Sequence, residues 1–300
     1  MKVRLKAHVL TLPRWFAIPF FSSAVLIGCL LAGGHFSELH LWLALITGLL
    51  IMAGGHSFNT FLDYEWTKLD KEGPEGRSVE KRYTVGQSVI ATGVLSSREV
   101  LFNALGWYFL ALGPLIYLAI SSSLWILLIG FLGMLVTFWY CWGKFNWTHE
   151  TALAAGVGPL SVLIGMFAVN PNPPWVIGLI ASFPFALVLS YMGLALDEWP
   201  DAEANLKKGV KSVAYKVWEY KFDLGVYLLI WILFLLIYHV FLIAVDILAP
   251  LTAISFFTVP PLIALCVFIR INYDKVVLPV VGVAALYLVL LTVGQAIGSV

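Results

Sequence analysis

Nine runs of the chain carry no Asp, Glu, Lys or Arg: 15–32, 39–62, 100–120, 124–142, 151–169, 175–196, 224–245, 251–269 and 276–297. Each is close to the roughly 20 apolar residues that a helix needs to cross the hydrocarbon of a bilayer. A transmembrane β-barrel would show shorter segments of alternating polarity. The pattern predicts an all-α integral membrane protein, a single domain of nine transmembrane helices. Composition agrees. Apolar residues make up 61% of the 300 and charged residues 12%, about half of the roughly 25% typical of soluble domains. A mean hydropathy of +0.92 leaves too little polar surface to clothe a water-soluble globule.

The connections alternate in charge. All 18 Lys and Arg residues lie ahead of the first run or in the links after the even-numbered runs, while the links after the odd-numbered runs hold only Glu38 and Asp246. The positive-inside rule then predicts a cytoplasmic N-terminus and an outer C-terminus in a cell (inner) membrane. The first run follows Lys2, Arg4, Lys6 and Arg14 and lacks an Ala-x-Ala exit, so it is expected to be a retained span rather than a cleaved leader. Cys29, Cys141 and Cys266 are far apart, which suits neither a disulfide framework nor a zinc knuckle. Nothing in the net charge of +1 points to nucleic acid.

Two links are long, 63–99 and 197–223, and both are expected on the cytoplasmic side. Long links in a compact protein are functional or disordered. Trp66, Tyr83, Val85, Trp199, Tyr215 and Trp218 favour ordered caps over the helix ends.

Each long link opens on carboxylates. Asn59 and Asp63 are four apart and share a helix face, to which Asp70 returns if the helix continues. Asp197, Asp201 and Asn205 follow the same four-residue step, with Pro200 expected to bend the chain and Glu203 nearby. One such motif is an ordinary solvated helix end. Two at the same depth are more telling, because carboxylates that converge cannot all stay ionised without a counter-ion. Hard oxygen ligands suit Mg²⁺, which takes one or two carboxylates together with phosphate oxygens. The expected guest is therefore a magnesium diphosphate. Tyr140 and Lys144, also four apart, end the fourth run at the same level. Lys144 reads either as an interfacial lysine or as a cation for the diphosphate. Arg77, Arg82, Lys68 and Lys71 could serve the same end, and spacing does not choose among them. His56, one turn before Asn59, reads first as a packing residue.

These features together resemble the UbiA superfamily of intramembrane prenyltransferases, over nearly the whole chain. Asn59-Thr60-Phe61-Leu62-Asp63-Tyr64 is similar to the NTxxD(F/Y) opening of its menaquinone-type branch, the 1,4-dihydroxy-2-naphthoate prenyltransferases. YTVGQSVIATGVLSSREV (83–100) resembles that branch's glycine–serine loop, and Glu150 with GVGPLSVLIG (156–165) its fifth span. Asp201, Glu203, Gly209 and Ser212 fit its DxExDxxxGKxT pattern. The chain departs from the family at Asn205, where a third Asp is usual, at Val210, where a Lys is usual, at Ser97, where a Pro is usual, and at Asp70, one residue late.

The resemblance implies a UbiA-like bundle with cytoplasmic cap loops. It also implies Mg²⁺-dependent transfer of a polyprenyl group from an isoprenyl diphosphate to an aromatic acceptor, 1,4-dihydroxy-2-naphthoate in menaquinone biosynthesis being the first expectation. Asp63, Asp70, Asp197 and Asp201 would ligate the metal. Asn59, Tyr140, Asn205, Lys144 and one of Arg77 or Arg82 would bind or neutralise the substrate. Another aromatic or lipid acceptor fits the same features. A transporter fits less well, because transporters place ionisable groups at mid-membrane and here every charge lies outside the runs. A non-catalytic scaffold is the remaining reading.

Overall fold

The computed structural model describes residues 7–9, 11, 17–69 and 89–299. Among these the chain is helical, with no strand. Among the described residues, eight helices are long and apolar enough to span a membrane: α2 (Leu39–Glu65), α3 (Ser97–Ser121), α4 (Trp125–Gly143), α5 (His149–Val169), α6 (Trp175–Lys207), α8 (Leu224–Ala244), α9 (Pro250–Phe268) and α10 (Tyr273–Gly298). The ninth apolar helix, α1 (Ile18–Leu31), has only 14 residues. At 1.5 Å per residue that is about 21 Å, short of a hydrocarbon core of roughly 30 Å. Among the described residues, eight of the nine expected spans are helices of spanning length, and this shorter helix stands in the place of the other. Gly33, with φ of 87°, turns the chain just past its end, a conformation that a Cβ would disfavour.

Long apolar side chains such as Phe102, Phe109, Ile120, Leu124 and Phe257 stand exposed on the outside of the bundle, where a lipid solvent makes exposure harmless. The interior is apolar too. One cluster centres on Phe20, Ile27, Phe185, Met192, Leu228 and Tyr287, and a second on Leu41, Leu115, Leu118, Ile126 and Ile164. Helix α2 lies along α3, while α1 packs on α5 and α10. Gly28 and Gly165 make the α1–α5 contact possible. A Cβ on Gly28 would lie 2.0 Å from the Val162 carbonyl oxygen, and one on Gly165 would lie 2.1 Å from that of Val25. The two backbones therefore touch, as small residues allow between membrane helices.

Helix ends follow local chemistry. Ser96 and Glu99 form a capping box at the start of α3, and Asp223 accepts from the Val226 amide at the start of α8. Helices α5 and α6 are irregular in the middle. Gly156–Leu160 and Val188–Gly193 are π-helical turns, which often accompany functional sites. Helix α6 also runs beyond the expected end of its apolar stretch. It passes through a 3₁₀ turn at Trp199–Asp201 that takes in Pro200 and regains α geometry over Ala202–Lys207. Most of 197–223, read from sequence as a connecting cap, is thus helical, and a short α7 (Val213–Glu219) follows. Proline stands at the start of the 3₁₀ turn, where its missing N–H leaves few bonds unmade.

Candidate functional site

Helix α2 continues three residues past the last apolar position, so Asn59 and Asp63 stack one turn apart. The Asn59 amide donates to Oδ2 of Asp63 at 3.0 Å. Thr67, one turn further on, donates to Oδ1 at 3.1 Å. Asp63 is almost fully buried, at 1% exposure, and a buried carboxylate needs a partner. That partner comes from the end of α4. Lys144 Nζ donates to both carboxylate oxygens of Asp63, at 2.7 and 2.6 Å, and is itself buried. Its ammonium stands 4.9 Å from the centre of the Tyr140 ring, one turn back on the same face. Cys141 donates its thiol to Oδ1 of Asn59 at 3.1 Å, which fixes the amide in the orientation that faces Asp63.

The two acidic stretches meet around Tyr140. Asn59, Tyr140 and Asp197 together line a cavity of about 240 Å³. From these polar residues the cavity runs between helices past Phe21, Ile51, Val136, Leu160, Ile164 and Leu189. Both π-helical turns contribute to its wall, through Gly156, Leu160, Leu189 and Gly193. His56 lines it as well, with Nδ1 3.2 Å from the Thr11 carbonyl oxygen.

The remaining expected residues sit elsewhere. Asp201 ends the 3₁₀ turn and is half-buried. Asn205 points to α7, donating to the Tyr215 hydroxyl at 2.6 Å. Burial pushes that hydroxyl's pKa up, and the charge of Glu198 adds to the rise, so Tyr215 stays protonated. Asp70, Arg77 and Arg82 lie outside the described residues.

One cluster escaped the sequence reading. His149 is fully buried at the start of α5. Its Nε2 is 2.9 Å from Oε1 of Glu198, and its Nδ1 is 3.2 Å from Oε2 of Glu150 without hydrogen-bond geometry. The other carboxylate oxygens are taken too. Ser212 Oγ donates to Oε2 of Glu198 at 2.5 Å, and the Val213 amide donates to Oε1 of Glu150 at 2.6 Å. The three side chains are close enough together to hold a metal ion. Three of their four carboxylate oxygens, however, are already engaged by protein donors, and the imidazole stands between the two carboxylates rather than beside them. The one hint in the sequence was Glu150 in the resemblance; nothing marked its neighbour His149, or Glu198 beside Asp197.

Comparison with known proteins gives a consistent result. The pattern of the UbiA prenyltransferase family matches residues 21–293. A 1,4-dihydroxy-2-naphthoate octaprenyltransferase of Bacillus subtilis (strain 168) is 26% identical over 196 residues, a match that covers 63% of this chain and 59% of that protein. The apo structure of a UbiA homolog from Aeropyrum pernix K1 superposes with a TM-score of 0.70 at 13% identity, covering 95% of this chain and 99% of that one. A UbiA homolog from Archaeoglobus fulgidus bound to DMAPP and Mg²⁺ gives 0.57 at 17% identity, covering 96% and 99%. At these identities the two structures speak for the fold.

Proposed function

The chain belongs to the UbiA prenyltransferase family, and we propose that it transfers a prenyl group from an isoprenyl diphosphate to an aromatic acceptor of the 1,4-dihydroxy-2-naphthoate kind, with its diphosphate site on the cytoplasmic side of the membrane. The observation that carries this reading is the cavity: one polar end with Asn59, Tyr140 and Asp197, beside the buried Asp63–Lys144 pair, and an apolar remainder among the helices. That is the shape and polarity of a diphosphate with a hydrocarbon tail. The acceptor rests on the Bacillus relative, the magnesium and the allylic diphosphate on the Archaeoglobus one.

The donor set fits magnesium. Asn59, Asp63 and Asp197 offer hard oxygens, and Asp63 is a buried carboxylate that already requires a cation. Those three residues would hold the metal. When bound, it would supply Lewis-acid neutralisation of the diphosphate oxygens. Lys144 would turn from Asp63 to the phosphates and stabilise the charge that grows there as the C1–O bond breaks with its electron pair leaving on diphosphate. The Tyr140 ring, beside that ammonium, presents a π face suited to a neighbouring cation. The aromatic ring carbon then bonds to C1, and the ring loses a proton, or its carboxyl group as CO₂ where a naphthoate is the acceptor. The apolar walls hold the tail. Because the competing medium is lipid, that contact sets position more than affinity, and affinity resides in the head group.

Purified protein given prenyl diphosphate, the naphthoate and Mg²⁺ is expected to form the prenylated quinol precursor, and a chelator is expected to stop it reversibly. Asp63→Ala and Asp197→Ala should each lower turnover by about 10²–10³, the usual effect of losing one such contact. Retention of most activity in both variants sinks the metal-site assignment.

A further inference from the structure

Among the described residues that line the cavity, His56, Tyr140 and Asp197 carry titratable side chains. Asp197 belongs to the metal set. Tyr140 lies beside the Lys144 ammonium, and a phenol keeps its proton at neutral pH. An imidazole need not, and its neutral form is a base. His56 is also well placed along α2. It stands one turn, about 4.5 Å of helix rise, deeper than Asn59, where the polar end of the cavity gives way to Met52 and Ile51. In a prenyl diphosphate, C1 occupies that same junction between head group and tail.

The imidazole is held by a built acceptor. Its Nδ1 is 3.2 Å from the Thr11 carbonyl oxygen. A carbonyl only accepts, so Nδ1 carries the proton of the neutral ring and Nε2 the basic lone pair. Thr11 is fully buried although it precedes the first helix of the bundle. Ser57 Oγ donates to its carbonyl at 3.0 Å, and the Asn103 amide on α3 donates to its hydroxyl at 2.6 Å. The carbonyl that sets the tautomer is thus itself anchored to two helices.

We propose that His56 is a catalytic base, and that its Nε2 takes the hydroxyl proton of the aromatic acceptor during prenyl transfer. The proposal rests on the prenyl-transfer reading. As the ring carbon bonds to C1, the hydroxyl proton passes to Nε2 and the oxygen's electron pair closes a ketone C=O. The ring then sheds CO₂ or a ring proton. The electron pair of the broken bond restores the aromatic ring, the ketone oxygen becomes an anion, and the imidazolium returns its proton there. The base is regenerated, and the hydroxyl group ends as it began.

The test is a competition for one prenyl diphosphate between 1,4-dihydroxy-2-naphthoate and a ring-fluorinated analogue whose hydroxyl is already ionised at the assay pH. The ratio of the two products does not depend on how much of the sample is folded. His56→Asn keeps a donor for the Thr11 carbonyl but offers no base. It should shift the ratio toward the fluorinated product by about 10²–10⁴-fold, the usual contribution of general base catalysis. His56→Gln, equally without a base, should shift it likewise. An unchanged ratio in both variants overturns the proposal, even if total activity falls, because a packing role slows both acceptors alike. Wild-type protein that prenylates neither acceptor overturns the transfer reading and the base with it. Active wild type with unshifted variants overturns the base alone.

Discussion

Lys144 meets both oxygens of Asp63, and both side chains are buried. Removing one partner of such a buried pair leaves the other charge without an answer, at a typical cost of about 3–5 kcal/mol. Lys144→Met is therefore expected to lower the unfolding midpoint in detergent markedly. The double variant Lys144→Met with Asp63→Leu should recover much of the loss, because replacing both charges by apolar groups is often neutral. A double variant no more stable than Lys144→Met alone would contradict the pairing. The residues of this pair were legible in the sequence as two four-residue steps, Asn59 to Asp63 and Tyr140 to Lys144. Their pairing was not, since spacing on one helix says nothing about the helix opposite. Glu198 and His149 were illegible for a related reason. A carboxylate at a helix end reads as solvated until the fold covers it, and here 208–213 does the covering.

At the scale of the helix, the α1–α5 crossing depends on Gly28 and Gly165, each opposed by backbone rather than by a side chain that could swing away. Gly165→Val should destabilise by about 1–3 kcal/mol, the range for an overpacked contact. Gly106→Ala serves as the control: its added Cβ meets nothing within 4 Å, and alanine is the better helix former. Equal midpoints for the two variants would show that the crossing tolerates separation. Apolar runs told the sequence reader where helices lie but not how regular they are. The π turns at Gly156–Leu160 and Val188–Gly193 leave the hydropathy unchanged, since they alter hydrogen bonding and not composition. Helix α6 likewise outran its apolar stretch because Ala202–Lys207 is a good helical sequence whatever its polarity.

For the whole molecule, the charge asymmetry of the links predicts an orientation that labelling can check. Ser37 and Lys207 are exposed, and the three native cysteines are buried. In sealed cells, a membrane-impermeant thiol reagent should modify Ser37→Cys and spare Lys207→Cys, and permeabilisation should expose the second. The reverse pattern would invert the topology. Beside the cavity, Asp63 and Lys144 cancel each other, so a lone divalent ion has to evict an ammonium, and a lone polyanion has to pull that ammonium off its carboxylate. A visitor bearing both signs exchanges one internal contact for two. On the proposed function the pocket behaves as an AND gate for charge, indifferent to free metal or free pyrophosphate and responsive to their conjunction.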